Sequence, residues 1–173
     1  MKRLILINGT MGVGKTTTCD LLLKKLPKAV FLDGDWCWNM HPFVVTEETK
    51  AMVLKNITCL LQNFLQCSAY ENILFCWVIP QEEIFQTLLE PLSDLEFELF
   101  KITLTCSPEA LSRRLEQDVA AGRRSQGVVL RSLSRLALYE PQQTIHLDVS
   151  DRSPEEASEA ILNLLQAPQK PGR

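Results

Sequence analysis

Five short apolar runs punctuate the chain: Leu4-Ile5-Leu6-Ile7, Ala29-Val30-Phe31-Leu32, Asn72 to Ile79, Leu99 to Leu104 within Phe97 to Cys106, and Thr144 to Leu147. Continuous apolar runs of this length suit strands covered on both faces, as in a parallel sheet. Between them, apolar residues return at helical spacing. Cys19, Leu22, Leu23 and Leu26 mark a helix over Thr16 to Leu26, closed by Pro27. Val53, Ile57, Leu60, Leu61, Phe64 and Leu65 form one face of a long helix, capped by Thr46 and running to about Ser68. Further helices are predicted from Gln81 to Leu89, from Ser107-Pro108-Glu109 to about Ala121, from about Val128 to Tyr139, and from Pro154 to Leu165 with Ser153 as cap.

Strands and helices alternate, which predicts an α/β architecture: a five-stranded, mostly parallel sheet flanked by helices. Residues 1–166 read as one domain and 167–173 as a frayed tail. The segment Ala121-Gly122-Arg123-Arg124-Ser125-Gln126-Gly127 interrupts two helices and reads as a short lid, about 121–127.

The first strand runs into Gly9-Thr10-Met11-Gly12-Val13-Gly14-Lys15-Thr16, and a helix follows at once. Strand, glycine loop and helix, in that order, make a phosphate site. Glycines let backbone N–H groups turn inward around an anion, and the new helix adds its positive end. The nucleotide-binding set is therefore Gly9, Thr10, Met11, Gly12, Val13, Gly14, Lys15, Thr16 and Thr17. Lys15 reaches the β- and γ-phosphates of a bound triphosphate, and the Thr16 hydroxyl suits Mg²⁺.

The second strand ends in Asp33-Gly34-Asp35. Ligands of parallel sheets bind at the carboxyl ends of strands, so these acids share a crevice with the phosphate loop. Two aspartates flanking one glycine cannot point at one atom, so their roles divide: one holds Mg²⁺ and the other accepts a proton from an attacking hydroxyl. The third run ends in Trp77-Val78-Ile79-Pro80 with no acid, leaving Mg²⁺ to Thr16 with Asp33 or Asp35. Trp36, Trp38, Met40, His41, Pro42 and Phe43 follow in a loop and are candidates to line the acceptor pocket, as is Trp77, although Trp36, Trp38 and Trp77 suit the core equally well. Arg123 or Arg124, on the lid, is placed to neutralise a transferring phosphoryl group and to exclude water.

Composition adds little that is specific. The chain has 173 residues, 46% hydrophobic and 23% charged, with a formal net charge of −3, which gives no general attraction to nucleic-acid phosphates. No apolar segment approaches a bilayer's span, no signal peptide is visible, and six cysteines form no Cys-x-x-Cys pair. The expectation is a cytoplasmic protein with reduced thiols, and with neither membrane nor nucleic acid as partner. No guanine-reading Asn-Lys-x-Asp motif occurs, which argues against a GTPase.

The chain resembles small P-loop kinases of the nucleoside-monophosphate-kinase-like fold over most of its length. Shikimate kinases, gluconate kinases, chloramphenicol phosphotransferases and AAA-type bacterial nucleotide kinases are the similar groups. The resemblance rests on the phosphate loop, on Asp33-Gly34-Asp35 with His41-Pro42, and on Ser107-Pro108-Glu109 followed by Leu111 and Arg114-Leu115. It implies that Asp33 takes the metal side and Asp35 the base side, and that Arg114 stacks on adenine. It also implies that Arg123-Arg124 holds a lid arginine, that Arg135 lies near the acceptor, and that Asp148-Val149-Ser150 lies beside the adenine ring. The glycine-rich acceptor motif of shikimate kinases is replaced by Trp77 to Pro80, which argues against shikimate. The expected activity is transfer of the γ-phosphoryl of Mg-ATP to a small-molecule acceptor, most simply a hydroxyl. A nucleoside monophosphate kinase and a non-kinase ATP-binding module are the alternatives.

Overall fold

The computed structural model describes residues 1–166, so the tail expected at 167–173 lies outside the described residues. Five parallel strands, β1 (Lys2–Asn8), β2 (Ala29–Asp33), β3 (Asn72–Cys76), β4 (Phe97–Thr105) and β5 (Ile145–Asp148), form one sheet in the order β2-β3-β1-β4-β5. The helices are α1 (Lys15–Lys25), α2 (Glu47–Gln66), α3 (Glu82–Leu89), α4 (Pro108–Ala120), α5 (Val128–Leu133) and α6 (Pro154–Gln166).

Both faces of β1 are covered, which is why its apolar run does not alternate with polar residues. Ile5 and Ile7 pack with Cys19 and Leu22 of α1 and with Ile161 and Leu165 of α6. Leu4 and Leu6 pack on the other face with Val53, Ile57, Leu61 and Leu65 of α2 and with Phe85 and Leu88 of α3. Each such aliphatic side chain, taken fully out of water, contributes about 1.5–3 kcal/mol. A third cluster (Leu111, Leu115 and Val128, with Met11 and Leu133 against it) seats α4 and α5 over the phosphate loop.

Side-chain caps fix where the helices begin. The Thr46 hydroxyl accepts from Thr49 N at 3.2 Å, and Thr49 Oγ1 accepts in return from Thr46 N at 2.8 Å. Ser107 caps α4 through Ala110 N, and Ser153 pairs reciprocally with Glu156 at the start of α6. These reciprocal boxes satisfy amide groups that a helix start leaves without partners.

Two expected elements are shorter than their patterns suggest. The third strand stops at Cys76 rather than Ile79. Its last ladder partners are Ile7 on β1 and Asp33 on β2. Beyond that point Trp77 N donates to Ile7 O at 3.2 Å, and Ile79 N donates to the side chain of Asn8 at 2.8 Å. Residues 77–79 are apolar because Ile79 is core and Trp77 forms a wall, not because the ladder continues. The helix expected over 128–139 ends at Leu133, and a single 3-10 turn, Leu136–Leu138, follows. Ser134 Oγ donates to Arg131 O at 3.0 Å, a local bond that competes with helical continuation.

Candidate active site

The carboxyl ends of β1, β2 and β3 open into one cavity of about 510 Å³. Its floor is the phosphate loop, in which Gly9, Gly12 and Gly14 all adopt positive φ. A side chain at Gly9 would also meet the Leu104 carbonyl at 2.6 Å, so the loop can turn here only on glycine. Lys15 opens α1 from a buried position and donates to Gly9 O (2.9 Å) and Thr10 O (3.0 Å). Burial lowers its pKa, while Cys76, Asp35 and Asp33 pull the other way. The ammonium is thus held over the loop that an anion would occupy.

The two acids have different surroundings. Asp33 is buried and fully engaged: Oδ2 accepts from the Thr16 hydroxyl at 2.7 Å and Oδ1 from Asp35 N at 3.0 Å. The second bond starts the 3-10 turn Gly34–Trp38, which stands where an irregular loop was expected. Asp35 is freer and lines the cavity. Burial raises its pKa, and the neighbouring Asp33 raises it further. Lys15, the Trp77 indole N–H beside it and Arg124 act in the opposite direction. Gly34 between them is required by close approach, since a Cβ there would lie 2.5 Å from the Trp77 ring.

Mg²⁺ fits this donor set. The Thr16 hydroxyl and an Asp33 carboxylate oxygen form an adjacent pair of hard oxygen donors, as a cation that keeps several waters and phosphate oxygens needs. Cys76 Sγ lies 3.9 Å from the Thr16 hydroxyl, at the end of β3 where sequence reasoning found no acid. A thiol there is a poor Mg²⁺ ligand, which leaves Thr16 and Asp33 as the residues that could hold the ion.

Arg114 forms the far wall. Its guanidinium donates to Val13 O at 3.4 Å, to Ser150 O and Arg152 O at 3.3 Å each, and to Val149 O. It therefore staples the phosphate loop to the β5–α6 connection and lines the cavity. Arg124 and Arg135 also line it. Arg123 does not: it is the more exposed of the lid pair and is held at 2.8 Å by Asp118. Asp118 binds Arg124 as well, at 3.0 Å, and these two arginines lower its pKa, with the hydrogen bond from Arg124 foremost.

Four expected site residues are absent from the cavity lining. Gly9 makes the tight turn into the loop, and its carbonyl accepts from Lys15 Nζ at 2.9 Å. Thr10 is buried, and its hydroxyl donates to Ser132 O at 3.3 Å, so only its backbone serves the loop. Arg123 is not part of the cavity lining; it is exposed and paired with Asp118 at 2.8 Å. Trp36 leaves the phosphate cavity and lines an adjoining cleft that shares Met11 and Asp35 with it. Met11, Gly12, Val13, Gly14, Thr16 and Thr17 line the cavity as expected, as does Trp77. Asp118 and Cys76 were not found from sequence. Asp118 precedes the arginines by five and six positions, a spacing that no helical pattern flags, and Cys76 reads as one more core residue.

Comparison with known proteins identifies the fold and the family. Residues 5–129 match the family model described as an AAA domain. The structure resembles the Deinococcus radiodurans tunicamycin resistance protein at 20% identity and TM-score 0.69, over 99% of this chain and 100% of that one. It resembles the Mycobacterium tuberculosis APS kinase, solved with AMPPNP and APS, at 19% identity and TM-score 0.67, over 96% and 98%. A gluconokinase from Sinorhizobium meliloti aligns at 17% identity and TM-score 0.62, over 95% of both chains. No curated protein gives a significant match. These structural likenesses establish the fold of small P-loop kinases, and the sequence match establishes the family: the chain belongs to the AAA-domain family.

Proposed function

We propose that this protein transfers the γ-phosphoryl group of Mg-ATP to a hydroxyl of a small-molecule acceptor. The observation that carries this reading is Asp35, a solvent-accessible carboxylate that lines the same cavity as Lys15, Thr16 and Arg124. The phosphate loop and the start of α1 hold the polyphosphate through backbone N–H groups. Lys15 leaves the Gly9 and Thr10 carbonyls and turns its charge to the phosphates. Arg114 provides a flat cation where the nucleoside base would lie. Mg²⁺, when bound by Thr16 and Asp33, supplies electrostatic neutralisation of the phosphate oxygens. Asp35 orients the acceptor hydroxyl and takes its proton as the new P–O bond forms. Arg124 neutralises charge on the transferring group and, with the lid turn, excludes water.

A raised Asp35 pKa suits this role, because it brings proton affinity closer to the working pH. Asp35→Asn is expected to lower acceptor-dependent turnover by about 10²-fold or more, the usual range for a general base, while ATP affinity stays within a few-fold. Steady-state ADP release with and without acceptor measures both. Turnover near that of the native protein would exclude the role. Lys15→Ala should abolish ATP binding by calorimetry.

One observation favours a second reading. Arg124 and Arg135 both line the cavity and could together hold an acceptor phosphate, as a nucleoside monophosphate kinase requires. Assays with AMP, CMP, UMP and the deoxynucleotides separate the two readings.

A further inference from the structure

Beside Asp35 lies a second hollow, of about 620 Å³, lined by Met11, Asp35, Trp36, Trp38, Asn39 and Phe43. Its chemistry differs from that of the phosphate cavity. Three of the six are large aromatic rings, and Asp35 is the one ionisable group among the described lining residues. Trp36 and Phe43 are 58% and 66% exposed, unusually open for rings of that size on a chain with two well-filled cores. They are nonetheless held in place. Trp36 packs edge-on against Phe31 of β2 with ring centres 5.3 Å apart, and Trp38 packs on Phe43 at 5.9 Å. The Trp36 and Trp38 backbone belongs to the turn that Asp33 caps. Both tryptophans are thus fixed to the same short segment that presents Asp35, and Phe43 packs on one of them.

Charge is sorted between the two hollows. The arginines lie on the phosphate side, with Arg124 and Arg135 in the first cavity and none in the second. An anionic acceptor placed in the aromatic cleft would meet a carboxylate and no cation. A neutral ring would meet aromatic faces on which to stack and the Asn39 amide for one polar contact.

We propose that this aromatic cleft is the acceptor subsite and that it takes an uncharged, ring-bearing alcohol, such as a nucleoside-like or aryl-substituted molecule, rather than a phosphorylated or carboxylated one. The proposal rests on the phosphotransferase reading and gives it a substrate class. The acceptor's ring lies on Trp38 and Phe43, with its hydroxyl toward Asp35. The hydroxyl oxygen forms the new bond to the γ-phosphorus, the bond from that phosphorus to the β–γ bridging oxygen breaks, ADP leaves, and the hydroxyl proton passes to the Asp35 carboxylate.

The test pairs neutral and anionic probes. Unphosphorylated nucleosides and phenyl-substituted propanediols are assayed with Mg-ATP against the matching nucleoside monophosphates and gluconate, with product identified by mass. At least one neutral ring-bearing probe should exceed the anionic probes tenfold or more in kcat/KM. Phe43→Ala and Trp38→Ala should raise its KM tenfold with kcat changed less than threefold and the KM for ATP unmoved. Phe43→Leu, at a surface position, guards against misfolding and should give a smaller rise. Preference for an anionic probe, or an acceptor KM untouched by the ring variants, overturns the cleft assignment while the kinase reading stands. If no probe is phosphorylated, the kinase reading loses its support. The cleft is then judged by tryptophan quenching with AMPPNP present. Binding of neutral probes that Phe43→Ala weakens tenfold supports it, and no binding overturns it.

Discussion

Asp35 sets a carboxylate's charge against lost solvation and a like-charged neighbour. Its pKa is raised chiefly by burial, with Asp33 adding to the effect, so the folded protein holds this proton more tightly than the unfolded chain does. Stability from this group is therefore full below the ordinary carboxylate pKa and is lost as pH rises through the raised folded value. At neutral pH the ionised side chain costs stability, which is the cost the proposed base role would carry. Asp35→Asn should accordingly raise the melting temperature at pH 7 and lose that advantage near pH 3, as scanning calorimetry across pH would show. The activity of the native protein should decline as pH falls through the same raised pKa, because the base must be ionised, and Asp35→Asn should lack this acidic limb. The lid arginines separate at this scale too. Arg124→Ala is expected to lower kcat by roughly 10²-fold or more, toward the range of arginine fingers, while Arg123→Ala, outside the cavity lining, should change it less than about fivefold.

Between elements, the tightest fit is that of the β2 turn against the β3 end. The Trp77 ring occupies the space above Gly34, and Gly34→Ala would force a Cβ to 2.5 Å from it. That overpacking should cost about 1–3 kcal/mol and displace Asp35, lowering stability and turnover together. Pairing it with Trp77→Leu should restore much of the stability in a double-mutant cycle. Here the limits of reading a sequence are clear. The strands, the phosphate loop and Asp33-Gly34-Asp35 were legible because each depends on local pattern. The contact of Trp77 with Gly34, the shared grip of Asp118 on two arginines, and the early end of β3 were not. Each is set by residues far apart in sequence or by where a neighbouring strand runs out of partners. Trp36 shows the same limit: its loop was marked as a pocket wall, but not which pocket.

Across the whole molecule, a buried polar knot joins the two halves of the sheet. Asn8 Nδ2 donates to Gln142 Oε1 (2.7 Å) and Ile79 O (3.0 Å), its Oδ1 accepts from Ile79 N (2.8 Å), and Gln142 Nε2 donates to Ile79 O (2.8 Å). The knot fixes the chain just past Trp77 and ties it to the segment leading into β5. Asn8→Ala would strip partners from groups sealed away from water, at roughly 2–3 kcal/mol, or about 4–12 °C in melting temperature for a chain of this size. Tyr139 is buried as well: its hydroxyl has no hydrogen-bond partner in bonding geometry among the described residues, and burial pushes its pKa up to about 12. No helix among the described residues is long and apolar enough to cross a membrane. The free thiols are graded by depth, with Cys59 and Cys67 exposed and Cys19 and Cys76 buried behind the phosphate loop. Burial and the adjacent Cys76 hold the Cys19 thiol well above its usual pKa. That gradation makes the protein its own stopwatch. A maleimide should claim the outer pair within moments and reach the inner pair only when the nucleotide cradle breathes. ATP, by keeping the cradle shut, should stretch the second interval while leaving the first untouched.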